Sequence, residues 1–310
     1  MKILVTGANG FVGKSLSAEL FGQGHTVQAA VRNKVAPIEN VETTIVGKVN
    51  GNTDWTQSLA GVSTVVHLAA RVHIMRDSAA DPLAEFREVN MRGTLNLARQ
   101  AAAAGVRRFV FLSSIGVNGA VTELNKPFTS EDSPEPHSSY AISKYEAEIG
   151  LREIAIETGM RVVIIRPPLI YGANAPGNFG SLLRMVRRGV PLPLGSVTHN
   201  RRSFVSLNNL VDFIITCIHH PNAANQTFLV SDGCDLSTAE LLRRMGNALG
   251  KSARLIPVPV AVLEAGAALF GRRDVAQRLC GSLQVDITKA KELLGWMPPF
   301  DVDEGLRLTI

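Results

Sequence analysis

The chain has 310 residues, of which 45% are hydrophobic and 19% charged, and its formal net charge is +5. This composition excludes a disordered chain, and the length predicts one large domain with a smaller lobe. The basic residues occur in short pairs such as Arg107-Arg108 and Arg201-Arg202. No nucleic-acid motif accompanies them, so we expect an anionic small molecule as the partner.

Two further features concern the cell compartment. The three cysteines, Cys217, Cys234 and Cys280, form no spaced pair, so neither a disulfide framework nor a metal site is predicted. The N-terminal stretch MKILVTGANG leads from an apolar strand directly into glycines, unlike a signal peptide. The apolar run 258–270 is too short to span a membrane; we predict a buried or interface helix, with membrane-surface contact as the alternative. A cytoplasmic protein without membrane insertion is expected.

Strand-like and helical segments alternate through the first half of the chain. The predicted strands are KILVTG, TVQAAVR, TTIVG, STVVHLAA, RRFVFLSS and RVVIIRP, and the main helices are FVGKSLSAELFGQG and the segments around 83–104 and 139–158. Continuous Val and Ile runs indicate strands that are buried on both faces, and hence a parallel sheet covered by helices. This alternation predicts a Rossmann-type, doubly wound α/β fold.

Three glycines follow the first strand at intervals of three. The stretch VTGANGFVGKS places Gly7, Gly10 and Gly13 between a strand and an amphipathic helix. Glycines there permit a tight turn, close approach of a pyrophosphate and packing of the helix on the sheet. The N–H groups and the dipole of the helix N-terminus favour negative charge. The sequence therefore predicts dinucleotide binding, with a merely structural turn as the alternative.

The pattern loosens after Arg166. The segments RPPLIYGANAPGNFG and RRGVPLPLGS are rich in Pro and Gly, and short helices at about 208–219 and 237–249 alternate with brief strands. We therefore assign residues 1–170 to the dinucleotide-binding domain. Residues 171–310 are predicted to form mainly a smaller α/β substrate lobe, with some segments returning to the sheet.

Six segments resemble, in order and spacing, the extended short-chain dehydrogenase/reductases, the family of UDP-galactose 4-epimerase. They are VTGANGFVG, HLAA (67–70), VNMRGT (89–94), FLSSIGVNG (111–119), YAISK (140–144) and RPPLIYG (166–172). A Tyr and a Lys four residues apart are ordinary neighbours on any helix. The resemblance, however, implies that Tyr140 is the catalytic acid/base and that Lys144 lowers its pKa and binds the nicotinamide ribose. Ser114 would donate a hydrogen bond to the reacting oxygen.

The resemblance also implies a nicotinamide cofactor. The residues that it assigns to the cofactor are Gly7, Gly10, Phe11, Val12, Gly13, Arg32, Lys48, Val49, Leu68, Ala69, Ala70, Asn90, Tyr140, Lys144 and Pro167. Relatives that bind NAD carry acidic residues near the adenosine, where this chain has Val31, followed by Arg32, and Lys48. A guanidinium suits a 2′-phosphate, so NADP(H) is preferred. NAD(H), with Arg32 stacked on the adenine, is the alternative.

Residues of the second lobe are candidates for binding a UDP-sugar. NRRSFVSLNNL (200–210) resembles the family segment whose arginine contacts the nucleotide diphosphate, and the matching residue is Arg202. Asn178 and Arg278 are further candidates, with surface or capping roles as the alternative. Arg71 and His73 either face the substrate or are solvated loop residues, and His67 is expected to be buried. A homodimer is compatible with the resemblance.

Several departures set the chain apart from the family epimerases. Leu169 replaces a substrate-binding Asn, SSIGVNG replaces the usual sequence after the catalytic Ser, and the acidic residues at 31 and 48 are absent. They favour an NADP(H)-dependent reductase that exchanges its cofactor. Such an enzyme would be similar to bacterial O-antigen enzymes that reduce the C4 ketone of UDP-4-keto-6-deoxy-N-acetylhexosamines.

Three other functions are alternatives to this reductase. The main alternative is a UDP-hexose or UDP-N-acetylhexosamine 4-epimerase with the same catalytic residues. A dehydratase fits less well, because Ile115 follows Ser114 where dehydratases usually have an acidic residue. A non-catalytic NADP-sensing protein of similar fold would tend to lose the Tyr140–Lys144 pair.

Overall fold

A seven-stranded parallel sheet forms the centre of the computed structural model, which describes residues 1–33, 41–72 and 81–310. Its strands are β1 Lys2–Thr6, β2 Thr26–Val31, β3 Glu42–Ile45, β4 Thr64–His67, β5 Arg108–Leu112, β6 Arg161–Arg166 and β9 Thr227–Leu229. Their order is β3-β2-β1-β4-β5-β6-β9, and neighbouring strands are parallel. The predicted Rossmann-type fold is confirmed. From β1 the chain adds strands on one side as far as β3, and from β4 it adds strands on the other side. Sheets of this kind bind ligands where this order reverses, here between β1 and β4.

Helices cover both faces of this sheet. Their bounds are α1 Phe11–Gly22, α2 Thr56–Leu59, α3 Pro82–Phe86, α4 Gly93–Ala103, α5 Ser139–Thr158, α6 Gly177–Arg187, α7 Leu207–His219, α8 Thr238–Ala248, α9 Val260–Leu269, α10 Arg273–Cys280, α11 Thr288–Leu294 and α12 Val302–Arg307. Apolar residues of α1 and α7 belong to the core on one face, and those of α4 and α5 to the core on the other. Burial on both sides explains the continuous apolar runs of the strands.

The C-terminal part of the chain contributes to two structures. β7 (Leu169–Tyr171) and β8 (Phe204–Ser206) pair in a small separate sheet, beside a third apolar core that includes Phe179 and Met245. β9, by contrast, pairs with β6 at the edge of the main sheet. A segment from beyond residue 170 thus lies in the sheet, and the boundary at that residue stays a prediction.

Two helical segments position site residues. α5 begins where Ser138 accepts a hydrogen bond from Ala141 N and ends at Gly159, whose φ is +74°; it has the predicted bounds. The segment expected as one helix around 83–104 consists of α3, a π-helical stretch at Arg87–Arg92 and α4. Wider π turns often occur at functional sites. Here the turn contains Asn90, which is fully buried.

The apolar run 258–270 was predicted to be a buried or interface helix. It forms α9, and no residue of this helix is buried, so the buried interpretation is wrong. Among the described residues, no helix is both long and apolar enough to cross a membrane.

Candidate active site

A cavity of about 780 Å³ lies at the carboxyl edge of the sheet. The ends of β1, β2, β4, β5 and β6 and the N-terminus of α1 form its walls. Many of the predicted site residues line it together: Gly7, Gly10, Phe11, Val12, Gly13, Arg32, Val49, Leu68, Ala69, Ala70, Ser114, Tyr140 and Pro167. Residues far apart in the chain are therefore brought to one site at the switch point of the sheet.

The glycine turn has the shape that a pyrophosphate requires. Gly7 has a φ of +66°, and a Cβ on Gly13 would lie 2.2 Å from the Gly7 carbonyl oxygen. α1 starts immediately after Gly10, which has no side chain to cap the first N–H groups of the helix. Backbone donors and the helix dipole therefore face the cavity without a competing side chain. These residues fit the diphosphate of a dinucleotide.

Asn90 joins the loop after β4 to the start of α5. Its Oδ1 accepts from Arg71 N at 2.8 Å, and its Nδ2 donates to Arg71 O and to Ser143 Oγ, both at 3.0 Å. Ser143 Oγ in turn donates to the carbonyl of Tyr140 at 2.8 Å. The buried amide thus fixes Leu68–Ala70, which line the cavity, relative to the turn that carries Tyr140.

His67 is fully buried, as expected, and the bonds of its neighbours determine its tautomer. Thr94 Oγ1 donates its hydrogen to Asn90 O, so at 2.9 Å it accepts from His67 Nε2. Thr6 Oγ1, which accepts from Leu68 N and Ala69 N, donates to His67 Nδ1 at 2.7 Å. Burial lowers the pKa of His67 to about 3. The ring is therefore a neutral structural link and not a proton donor to substrate.

Ser114 and Tyr140 supply polar atoms to the wall of the cavity. Ser114 follows β5 and caps a short 3₁₀ turn, where its Oγ accepts from Gly116 N at 3.1 Å. That bond does not use the hydroxyl hydrogen of Ser114, which can be donated to a ligand. Tyr140 lies in the first turn of α5, with its ring edge-on to Phe86. A hydroxyl donor and a phenol therefore face the same space as the glycine turn.

Lys144 requires a correction of the predicted pKa effect. Its side chain is 1% exposed, and Nζ lies 3.9 Å from the centre of the Phe111 ring. Burial lowers the pKa of Lys144 to about 7, partly opposed by the Glu148 carboxylate. Burial likewise raises the pKa of Tyr140 to about 12. The expected lowering of the Tyr140 pKa is not present here, because the ammonium group is directed at an aromatic face.

The predicted substrate residues are not all brought together. Arg202 Nη1 donates to Gly281 O at 3.1 Å, and burial together with nearby Arg278 lowers the Arg202 pKa to about 10. Asn178 is exposed in the first turn of α6. Arg71 Nη1 lies 3.9 Å from Glu85 Oε2. Arg202 and Arg278 are thus close enough for their charges to interact. Among the described residues, none of these side chains lines the cavity, and their substrate roles stay predictions.

Lys48, a further predicted cofactor residue, does not line the cavity. Lys48 is exposed; its carbonyl accepts from Thr53 Oγ1, and the neighbouring Val49 lines the cavity in its place. His73 lies outside the described residues. Within the described part of the chain, no group of three or more His, Cys, Asp or Glu is placed to hold a metal ion.

Sequence reasoning missed a buried ionic network behind the cavity wall. Ser113, which lines the cavity, lies 2.6 Å from Glu148 Oε1, and Arg166 binds both carboxylate oxygens of Glu148 at 3.0 and 2.6 Å. Trp55, also missed, lines the cavity near Val49 and is fully buried. In the sequence, Lys144 and Glu148 are one helical turn apart, but this spacing does not identify Arg166 as the partner of Glu148.

A glycine-lined cavity at the switch point of a Rossmann sheet, with a Ser and a Tyr in its wall, defines an enzyme of the extended short-chain dehydrogenase/reductase type. Residues 3–231 match the NAD dependent epimerase/dehydratase family, and the chain belongs to this family.

Similarity to individual proteins is found both in sequence and in fold. The chain is 49% identical over 308 residues to a UDP-glucose 4-epimerase of Vibrio cholerae, a match that covers 99% of this chain and 94% of the relative. Its fold is similar to the UDP-glucose 4-epimerase of Thermotoga maritima, solved with UDP-glucose (TM-score 0.79, 24% identity, 100% and 97% coverage). It is also similar to the UDP-glucuronic acid 4-epimerase of Bacillus cereus in complex with NAD (TM-score 0.78, 20% identity, 99% and 97% coverage).

Proposed function

We propose that the chain is a UDP-sugar 4-epimerase that acts on UDP-hexoses or UDP-N-acetylhexosamines, the main alternative to the reductase predicted above. The observation that carries the proposal is the 49% identity to a UDP-glucose 4-epimerase across nearly the full length of both chains. The placement of Ser114 and Tyr140 in the wall of one cavity with the glycine turn agrees with it. We further propose that the reaction takes place in the cytoplasm.

Epimerisation at C4 requires reversible transfer of a proton and a hydride. Tyr140 takes the proton of the C4 hydroxyl and returns it to the same oxygen after the keto sugar has rotated in the site. Ser114 donates a hydrogen bond to that oxygen and stabilises the charge on it. A bound oxidised nicotinamide would supply the acceptor for the C4 hydride and, once reduced, would return that hydride to the opposite face of C4; its positive charge would favour the ionised phenol.

The residues that would hold the dinucleotide follow from the walls of the cavity. The turn of Gly7, Gly10 and Gly13 would bind the pyrophosphate, and Leu68–Ala70 would lie along the ribose. Val49 would contact the adenine side, close to Trp55. Arg32 lies on the wall at the end of β2, where a guanidinium can bind a 2′-phosphate. We therefore propose that the site accepts NADP(H) in addition to NAD(H).

Reduction of a UDP-4-keto-6-deoxy-N-acetylhexosamine remains the second candidate. It is favoured by the same Arg32, because a reductase exchanges its cofactor at every turnover and an epimerase retains it. The comparisons support this function less well than the epimerase.

The deciding experiment is a pair of assays on the purified protein. UDP-glucose, UDP-galactose, UDP-GlcNAc and UDP-GalNAc are incubated separately with the enzyme, and products are resolved by chromatography. We expect interconversion within at least one C4-epimer pair, approached from both directions, without net consumption of cofactor. The second assay follows NADPH oxidation with a freshly generated UDP-4-keto-6-deoxy-N-acetylhexosamine.

Each other outcome has a defined meaning. Stoichiometric oxidation of NADPH by the keto sugar, without interconversion in the first assay, would establish the reductase. A protein that binds NADP(H) but acts on none of these sugars would revive the non-catalytic sensing function.

Arg32 provides a test of cofactor choice. Arg32→Ala is expected to weaken NADPH binding about 10- to 100-fold, because a hydrogen bond to a charged group contributes about 1.5–3 kcal/mol. NADH binding should change little, since that cofactor lacks the 2′-phosphate. Both dissociation constants can be measured by quenching of the fluorescence of Trp55, with Trp296 replaced by Phe. An equal loss for NADH would contradict the role of Arg32 in phosphate recognition.

A further inference from the structure

Helix α9 carries an apolar strip on its solvent side. Ala261, Val262, Ala265 and Leu269 are exposed, and their spacing places them on one face of the helix. Phe270 extends this strip beyond the helix end. Val262 is 58% exposed, Leu269 83% and Phe270 79%. Contiguous exposed apolar surface of this kind marks an interaction site more often than a random surface feature.

The opposite side of α9 packs against the rest of the C-terminal lobe. Val260 and Leu263 pack against the apolar core of the C-terminal lobe, to which Leu279 of α10 also contributes. Gly271, with a φ of +65°, ends the helix and leads into α10. Burial raises the pKa of Cys280 on α10, and the charge of Glu264 adds to this effect. The apolar strip is therefore fixed on the outside of the protein, and Glu264, the one carboxylate of the helix, is exposed beside it.

Helices α9 and α10 are in contact and form a helical hairpin. Two arginines lie at its tip, where α9 ends and α10 begins. Arg272 and Arg273 are exposed and follow Phe270 after one residue. Neither forms an ion pair with the described residues, whereas Asp274 lies 3.8 Å from Arg278. An exposed Leu-Phe tip beside two guanidinium groups is the combination that binds at the interface of an anionic bilayer.

We propose that the α9–α10 hairpin docks on a membrane surface rich in anionic phospholipid. The apolar strip enters the boundary between headgroups and acyl chains, and Arg272 and Arg273 bind lipid phosphates. A second copy of the chain fits this strip less well, because five side chains present on the order of a few hundred Å², and a stable interface needs about 800 Å² from each partner. This inference goes beyond the proposed function and does not depend on it.

Docking would also orient the substrate lobe. Arg278 lies on α10, and its charge acts on the half-buried Arg202. The two arginines predicted to bind a diphosphate would therefore be on the part of the molecule that approaches the membrane.

Vesicle sedimentation of the full-length protein tests the proposal. We expect at least about tenfold stronger binding to vesicles of phosphatidylcholine with about 30 mol% phosphatidylglycerol than to phosphatidylcholine alone. Salt at about 0.5 M should abolish most of the difference. Leu269→Asp with Phe270→Asp should remove binding to both vesicles, and Arg272→Gln with Arg273→Gln should remove the preference for anionic lipid. Ile156→Asp, at an apolar side chain on α5 that is 85% exposed, is the matched control and should bind as wild type does.

Three results would contradict docking of the hairpin on a membrane. The proposal is wrong if the wild type stays in the supernatant with both vesicles, or if the Leu269/Phe270 variant sediments as the wild type does. A wild-type dimer in analytical ultracentrifugation that this variant converts to a monomer, without vesicle binding by either, would identify the strip as a self-contact. Thermal unfolding and NADH binding of every variant show whether the fold is retained.

Discussion

Replacing Tyr140 by Phe is expected to lower kcat for UDP-sugar interconversion by about 10²–10⁴-fold, the usual contribution of a positioned acid/base. The phenol is the titratable side chain of α5 that lines the cavity, and its ring is held against Phe86. Phe keeps the ring and loses only the hydroxyl, so packing should be preserved. Initial rates at saturating substrate give kcat, and fluorescence titration gives the affinity for NADH, which should remain within about twofold, since RT ln 2 is about 0.4 kcal/mol.

Tyr145 provides the control for this variant. It lies on the same helix and is half-buried, but it does not line the cavity. Tyr145→Phe should leave kcat close to that of the wild type. Substantial residual turnover in Tyr140→Phe, with normal behaviour of the control, would show that another group moves the proton.

The parts of the site that local sequence determines were predictable. Ser138 and Gly159 define the ends of α5, because one caps the first turn and the other adopts a left-handed conformation. The glycine turn was predictable for the same reason: strand, turn and helix are neighbours in the chain. The predicted parallel sheet follows from the alternation of strands and helices along the chain.

The direction of a buried side chain could not be derived in this way. Helical periodicity places Lys144 one turn from Tyr140, but it does not decide whether the ammonium group is directed at the phenol or at the Phe111 ring. That choice depends on β5, whose packing against α5 is a tertiary contact. Similarly, an apolar run predicts a helix at 258–270, but not whether another element covers it.

The network around Glu148 is a second feature that only tertiary structure reveals. Glu148 of α5 is 0% exposed and Arg166 at the end of β6 is 2% exposed. Nε and Nη2 of Arg166 donate to the two carboxylate oxygens, and Nη1 donates to Asn118 Oδ1 at 2.9 Å. Ser113 connects the same carboxylate to the cavity wall. The loss of one charge would therefore leave its partner buried close to Ser114, the residue proposed to bind the reacting oxygen.

Glu148→Ala is accordingly expected to lower the free energy of unfolding by about 3–5 kcal/mol, because removal of one member of a buried ion pair leaves an uncompensated charge. Urea unfolding of the wild type and the variant measures this difference. The double variant Glu148→Leu with Arg166→Met should recover much of the loss, since apolar residues of similar volume often replace a buried pair with little cost.

Glu146 is the matched control on the same helix. It also binds an arginine through two oxygens, with Arg87 Nη2 at 2.6 Å, but the two side chains are 27% and 41% exposed. Exposed pairs contribute about 0–1 kcal/mol, so Glu146→Ala should have a small effect. Because geometry and helix are shared, the difference between the two variants measures the effect of burial. Equal losses for Glu146→Ala and Glu148→Ala would show that desolvation of Arg166 is not what makes Glu148 necessary.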